Sequence, residues 1–141
     1  MEREPAARIA DLLSSANRRM RRASKLELER AGVTHSQLRV LRLLSAAGEP
    51  LRVSELARRL DVIPRSATSV VDLLEAGGLV ERRPDPADRR AILVALTPAG
   101  DGVLRSMRAH RAAGLAQMLD RLTDDEQAEL IRLLTVLTAD D

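Results

Sequence analysis

Residues 52–97, RVSELARRL-DVIPRSATSVVDLLEAGGLVERRP-DPADRRAILVALT, decide the fold. Val53, Leu56, Ala57 and Leu60 recur at i, i+3, i+4 and i+7, the apolar stripe of a short helix. Asp61-Val62-Ile63 breaks that period. Pro64 then reopens a helix at its first position, where a missing N–H costs nothing. Ala67, Val70, Val71 and Leu74 form the second stripe and leave Arg65, Ser66, Thr68 and Ser69 pointing outward. Gly77-Gly78 supplies the left-handed stop that a helix end favours. Two short helices joined by a tight turn predict a helix-turn-helix. Leu79–Arg83 then reads as a strand. Ile92, Val94 and Leu96 alternate with Leu93, Ala95 and Thr97 as its partner. The loop between them, residues 84–90, is polar, limited by prolines and tipped with arginine. A helix-turn-helix followed by such a hairpin predicts a winged helix, with its second helix in the DNA major groove and its wing able to enter the minor groove.

The flanks are helical. Ile9, Leu12, Leu13, Ala16 and Met20 mark the stripe of a helix over residues 5–30, ended by Gly32. Arg18, Arg19, Arg21 and Arg22 bracket Met20, as a solvated face or as a site for phosphate or an acidic effector near a dimer axis. Thr34-His35-Ser36-Gln37 is a capping-box pattern. The helix it opens carries Leu38, Val40, Leu41, Leu43 and Leu44 nearly all round, which predicts burial. Thr97-Pro98 starts a long helix running to about Leu122, with apolar residues on two sides. His110, among apolar neighbours, reads as packed, and mid-helix Gly114 implies a close helix neighbour. Thr123-Asp124-Asp125-Glu126 is a second capping box, and the helix after it carries six large aliphatic side chains between Leu130 and Leu137. The first helix and the last two have more apolar surface than one chain covers, so both ends are expected to form a dimer interface.

VSELARRL followed by VVDLLEAGGLVERRPDPADRRAILVALTPAG resembles the multiple antibiotic resistance regulator (MarR) family of bacterial transcription factors. With the flanking helices, the resemblance covers nearly the whole chain. It implies a mainly α fold with a small β-wing: a winged helix-turn-helix with N- and C-terminal dimerisation helices. The domain would span 1–141, with the DNA-binding part at 34–97 and dimerisation helices at 1–32 and 98–141. Two residues depart from the family pattern. Ile63 stands where a serine-type cap is usual, and Leu73 where a polar or basic residue is common.

Geometry places Arg65, Ser66, Thr68 and Ser69 on the first turns of the recognition helix, the part that approaches base edges. Arg65 suits guanine or phosphate, and the hydroxyls suit either bases or phosphate. By resemblance, the Asp-x-Arg pattern of the wing falls on Asp88-Arg89-Arg90. Arg90 would enter the minor groove, Arg89 would meet phosphate or groove, and Asp88 would orient the loop or an arginine. Arg82 and Arg83 flank the wing and would contact the backbone. An effector pocket between the dimerisation helices and the winged helix would be lined by Ala16, Met20, Leu38, Arg42, Met107 and Arg111. Arg42 and Arg111 read as buried there. The expected partners are duplex DNA with a pseudo-palindromic operator, a second copy of the chain, and a small anionic or phenolic ligand that releases a repressor. A ligand-independent DNA-binding regulator and a winged-helix module for protein partners remain as alternatives.

Composition narrows the field. The chain has no Phe, Tyr or Trp, so its core is aliphatic, and stacking of single-stranded bases on aromatic side chains is excluded. It has no cysteine, which removes disulfides, thiol redox chemistry and most zinc sites. No nucleophile motif, phosphate-binding glycine loop or HExxH occurs, so no enzyme, metal or cofactor is expected. No signal peptide opens the sequence and no membrane-length apolar run occurs, from which a cytoplasmic protein is expected. Net charge is +2, and 22 of the 23 basic residues are arginine. The basic excess lies in residues 1–49, whereas residues 50–96 carry eight arginines against seven acids.

Overall fold

The computed structural model describes residues 4–139. Residues 1–3 and 140–141, the ends of the expected 1–141 domain, lie outside the described residues. Among those described there are six helices and three strands: α1 (Glu4–Ala31), α2 (His35–Ala47), β1 (Leu51–Arg52), α3 (Val53–Leu60), α4 (Pro64–Ala76), β2 (Val80–Pro84), β3 (Ile92–Leu96), α5 (Pro98–Leu119) and α6 (Asp124–Thr138). This is the mainly α architecture with a small β-wing expected from the sequence. The chain forms two compact units, residues 25–108 and residues 1–24 with 109–141.

Local chemistry fixes the boundaries in the 25–108 unit. Thr34 accepts from the Gln37 N–H, and the Gln37 side chain accepts from the Thr34 N–H, closing the capping box of α2. Gly48 ends α2 in the left-handed region at φ 68°. Of the glycine pair after α4, it is Gly78, at φ 73°, that takes the left-handed turn; Gly77 keeps φ −81°. The Gly78 and Leu79 N–H groups donate to the Glu75 and Leu74 carbonyls. Leu41, Leu56, Val71, Leu74, Val80 and Val94 are fully buried, so one aliphatic core joins α2, α3, α4 and the sheet. Val70, expected in the core, packs against it while half-buried.

The sheet order is β1-β3-β2, antiparallel throughout. β1 is absent from the sequence reading because two residues carry no readable period. It pairs Leu51 with Val94 and Arg52 with Leu93. In the hairpin, Val80 opposes Leu96 and Arg82 opposes Val94, which puts Arg82 on the same face of the sheet as the core residues.

Gly100 makes the closest approach. Thr97 caps α5 by accepting from the Gly100 N–H, and its own hydroxyl donates to the Gly78 carbonyl at 2.7 Å. That draws α5 so close to the hairpin that a Cβ on Gly100 would lie 2.2 Å from the Leu79 carbonyl oxygen.

In the other unit, Gly114 has the expected close neighbour: a Cβ there would sit 2.8 Å from the Ala23 Cβ. Thr123 and Glu126 form the second capping box. α1 and α6 contain no buried residue, and Ile9, Leu12, Leu13, Ile131, Val136 and Leu137 are all well exposed. His110, expected to pack, is exposed, as are Arg42 and Arg111, expected to be buried. In each case apolar sequence neighbours lie on the same helix but do not cover the polar side chain. No helix of the described residues is long and apolar enough to cross a membrane.

Two glycines of α5 give opposite expectations. Gly100→Ala gains helix propensity of about 1 kcal/mol, but the clash with Leu79 backbone outweighs it. We expect destabilisation of about 1–3 kcal/mol, typical of overpacking. Gly102 has nothing within 4 Å of a built Cβ, so Gly102→Ala should stabilise by up to about 1 kcal/mol. Thermal melts of both variants check this; a neutral Gly100→Ala would contradict the packing described.

Candidate nucleic-acid interface

The reading helix α4 starts without a side-chain cap. Ile63 precedes it in extended geometry, and Pro64 occupies its first position. Arg65, Ser66, Thr68 and Ser69 are all exposed on the face away from Ala67, Val71 and Leu74. The Thr68 and Ser69 hydroxyls donate back to the Pro64 and Arg65 carbonyls, one turn earlier. Their oxygens still have lone pairs directed outward, suited to accept from adenine or cytosine amino groups.

Further along the same outward face α4 carries two acids, Asp72 and Glu75, and both bind the wing. Arg82 donates to Asp72 at 2.5 Å and to Glu75 at 2.8 Å. Its backbone N–H, on an edge strand, donates to the second Glu75 oxygen at 2.9 Å. The hydrogen bond to Asp72, reinforced by Glu75, holds the Arg82 guanidinium even more firmly protonated than usual. Arg82 therefore spans from the core face of the sheet to the reading helix, and its guanidinium is occupied by carboxylates. Arg83 is exposed and paired with Glu81.

The wing tip is shaped by two aspartates. Asp85, only 9% exposed, accepts from the Ala87 N–H and from Arg52 Nη2, each at 2.9 Å. The Ala87 N–H, then Arg52, lower its pKa below the ordinary 3.8. The pin from β1 to the wing is therefore complete above that value and is lost only as the pH falls beneath it. Asp88 accepts from the Arg90 N–H at 3.0 Å, a turn within the loop. Arg89 and Arg90 project from this braced loop and are exposed. Sequence reasoning missed Asp85 and Arg52, which are 33 residues apart. The only signal was an acid between two prolines. It also missed Glu55, which binds Arg58 and Arg59 and whose pKa falls to about 2 through hydrogen bonds from those two residues.

These pairings sort the arginines. Of the eight between residues 50 and 96, Arg52, Arg58, Arg59, Arg82 and Arg83 are ion-paired. Arg65, Arg89 and Arg90 have no ion pair among the described residues, and they sit at the two elements that would meet DNA.

The expected effector residues divide between the units. Leu38 and Met107 are buried, 2% and 3% exposed, in the core of the 25–108 unit, and Arg42 is exposed on α2. Ala16 and Met20 are half-buried and Arg111 is exposed in the other unit. That unit also has an open cleft of about 350 Å³ lined by Arg19, Ala23, Gly114, Gln117, Met118 and Arg121. Among the described residues there is no group of three or more acidic, histidine or cysteine side chains placed to hold a metal ion.

The Arg82 arrangement makes a sharp expectation. Arg82→Met should weaken DNA binding by about tenfold, equivalent to about 1.4 kcal/mol, because Asp72 and Glu75 would then face phosphates uncompensated. Adding Asp72→Asn and Glu75→Gln should restore most of the loss. Fluorescence anisotropy with a bound duplex measures both. An equally weak triple variant would mean that Arg82 itself touches DNA.

Residues 31–91 match the sequence family described as the MarR family. The HTH-type transcriptional repressor MdtR of Bacillus subtilis (strain 168) is 37% identical over 110 residues, 78% of this chain and 70% of that protein. The multiple antibiotic resistance protein MarR of Salmonella typhimurium is 34% identical over 127 residues, 89% of this chain and 88% of that one. Among solved structures, the transcriptional regulator Tm0710 from Thermotoga maritima superposes with a TM-score of 0.82 at 28% identity, covering 95% of this chain and 92% of that one. The chain belongs to the MarR family of winged-helix DNA-binding transcription regulators, whose members are not enzymes.

Proposed function

We propose that the chain is a cytoplasmic homodimeric repressor that binds a pseudo-palindromic operator and leaves it when a small anionic or phenolic ligand binds. The observation that carries the DNA assignment is the sorting of arginines: the wing tip and the first turn of α4 keep theirs unpaired, whereas the rest of that segment pairs them internally. In this reading Arg65, Ser66, Thr68 and Ser69 face base edges and phosphates of the major groove. Arg90 enters the minor groove, and Arg89 lies on its rim. Arg83 reaches backbone phosphate after exchanging Glu81. Arg82 and Asp88 act as positioning residues, through the α4 clamp and the loop turn. The uncovered apolar faces of α1 and α6 support a dimer, whose two reading helices would meet half-sites about one helical turn apart.

Ligand control is supported by family membership and by the cleft with Arg19 and Arg121, neither of which has an ion pair among the described residues. Two guanidiniums and the Gln117 amide offer bidentate donors to a carboxylate or phenolate. A ligand reaching Leu38 or Met107 would have to displace core packing, so Ala16, Met20, Arg42 and Arg111 are the more accessible of the residues first assigned.

Operator DNA selected from a random duplex pool tests the reading. Arg90→Ala should weaken binding more than Arg105→Ala, whose side chain pairs with Asp101 on α5. If Arg65, Arg89 and Arg90 of both protomers meet phosphates, raising salt from about 50 to 200 mM should cost about 10³-fold in affinity. Equal binding by Arg90→Ala at every salt concentration would remove the wing from the interface.

For release, aromatic carboxylic acids should raise the melting temperature of the free protein and lower operator affinity by roughly five- to 150-fold. Arg19→Met or Arg121→Met should abolish both effects if the cleft is the site. Arg42→Met or Arg111→Met should do so if the first assignment is right. A broad anionic panel that changes neither quantity would favour a ligand-independent regulator.

A further inference from the structure

We infer that Ile63 is a specificity-determining residue that reads the C5-methyl group of a thymine in each operator half-site. The inference rests on the DNA-binding reading and adds to it an apolar contact in an interface otherwise described by arginines and hydroxyls.

Ile63 is 65% exposed, the highest exposure among the large apolar residues of the 25–108 unit. It stands at the N-cap of α4, with its backbone extended at φ −68° and ψ 148°. Its carbonyl accepts from the Ser66 N–H at 3.0 Å and the Ala67 N–H at 3.3 Å, so the backbone is engaged in the helix while the side chain caps nothing. α2, α5 and α6 each open on a threonine whose hydroxyl accepts from a first-turn N–H. α3 is also uncapped, but its opening residue, Arg52, is engaged by Asp85. Among the described residues, only at α4 is a cap forgone and a large aliphatic side chain exposed at the same residue. Both features are unfavourable in the free protein.

Position supplies the compensation. The N-terminal residues of the second helix of a helix-turn-helix approach base edges in the major groove. Ile63 is adjacent to Pro64 and Arg65 at that end. In the major groove the apolar mark on a base pair is the thymine methyl, which apolar side chains recognise by contact. An isoleucine there has no hydrogen bond to offer phosphate or base, so its contribution comes from burying its surface against that methyl. Pro64 beside it has no N–H to desolvate. Leu73, 62% exposed, lies ten residues further along α4, roughly 15 Å at 1.5 Å per residue. It cannot serve the same base pair.

The test replaces thymine by uracil one position at a time in a duplex selected from a random pool. The change deletes only the methyl and keeps the hydrogen-bonding edge. For the parent protein, one thymine per half-site should be found at which uracil weakens binding about fourfold, or about 0.8 kcal/mol for one methyl-sized group. Ile63→Ser should bind the thymine and uracil duplexes equally at that position, with its fold intact because a serine there restores a cap. Ile63→Val should keep most of the discrimination. The inference is overturned if no thymine methyl affects binding, if Ile63→Ser still discriminates, or if Leu73→Ser rather than Ile63→Ser removes the effect. A pool that yields no preferred sequence would overturn the operator reading itself, and this inference with it.

Discussion

Arg82 ties a helix and a hairpin into one surface. A two-stranded hairpin is marginal alone in water, and β2 is an edge strand whose backbone N–H groups need partners. Glu75 supplies one by accepting from the Arg82 N–H, and then holds the guanidinium of the same residue. Asp72 takes the other branch of the guanidinium. The two acids lie on the outer side of the reading helix, where bare carboxylates would repel phosphate. One side chain therefore orients the wing and neutralises two charges on the outward face of α4, the face proposed above to approach DNA. Arg52 and Asp85 brace the wing from the opposite strand, so the hairpin is held at both edges of the sheet.

Net charge describes this interface poorly. Eight arginines against seven acids between residues 50 and 96 give almost no local excess, which kept a protein-partner module open from sequence alone. Pairing changes the picture. Acids are concentrated on arginines that hold structure together, and the arginines left over are exposed at the start of α4 and in the loop between β2 and β3. An affinity for phosphate depends on which cations are available at the contact surface, rather than on their sum over the segment.

The elements legible in the sequence were those whose signals are local. Pro64, the Thr34–Gln37 and Thr123–Glu126 boxes and Gly78 act within four residues of themselves, and the structure follows them. The outward face of α4 was equally legible, because the 3.6-residue period of Ala67, Val71 and Leu74 leaves only one other side. Long-range pairings were not. Arg82 could be seen as a basic residue near the wing, but its partners lie seven and ten residues back on a different element. Asp85 meets Arg52 across 33 residues, and β1 exists only through its register with β3. Exposure of Arg42, His110 and Arg111 was missed for a related reason. Apolar neighbours in sequence fix a helix face, while burial depends on what that face meets.

The terminal helices pose the remaining physical question. α1 and α6 form over 28 and 15 residues without a fully buried residue, and most of their large apolar side chains stay exposed. In proteins, tertiary packing of an amphipathic face rather than propensity supplies most helical stability. Ile9, Leu12, Leu13 and Leu137 therefore require a cover. In the dimer proposed above, the surface that provides it also fixes the spacing of two reading helices. Ligand control then needs no chain of contacts running from an effector site to Arg65 or Arg90. It needs a packed surface with two arrangements, only one of which matches two operator half-sites. DNA favours that arrangement and a releasing ligand the other, and linkage makes each weaken the other by the same factor.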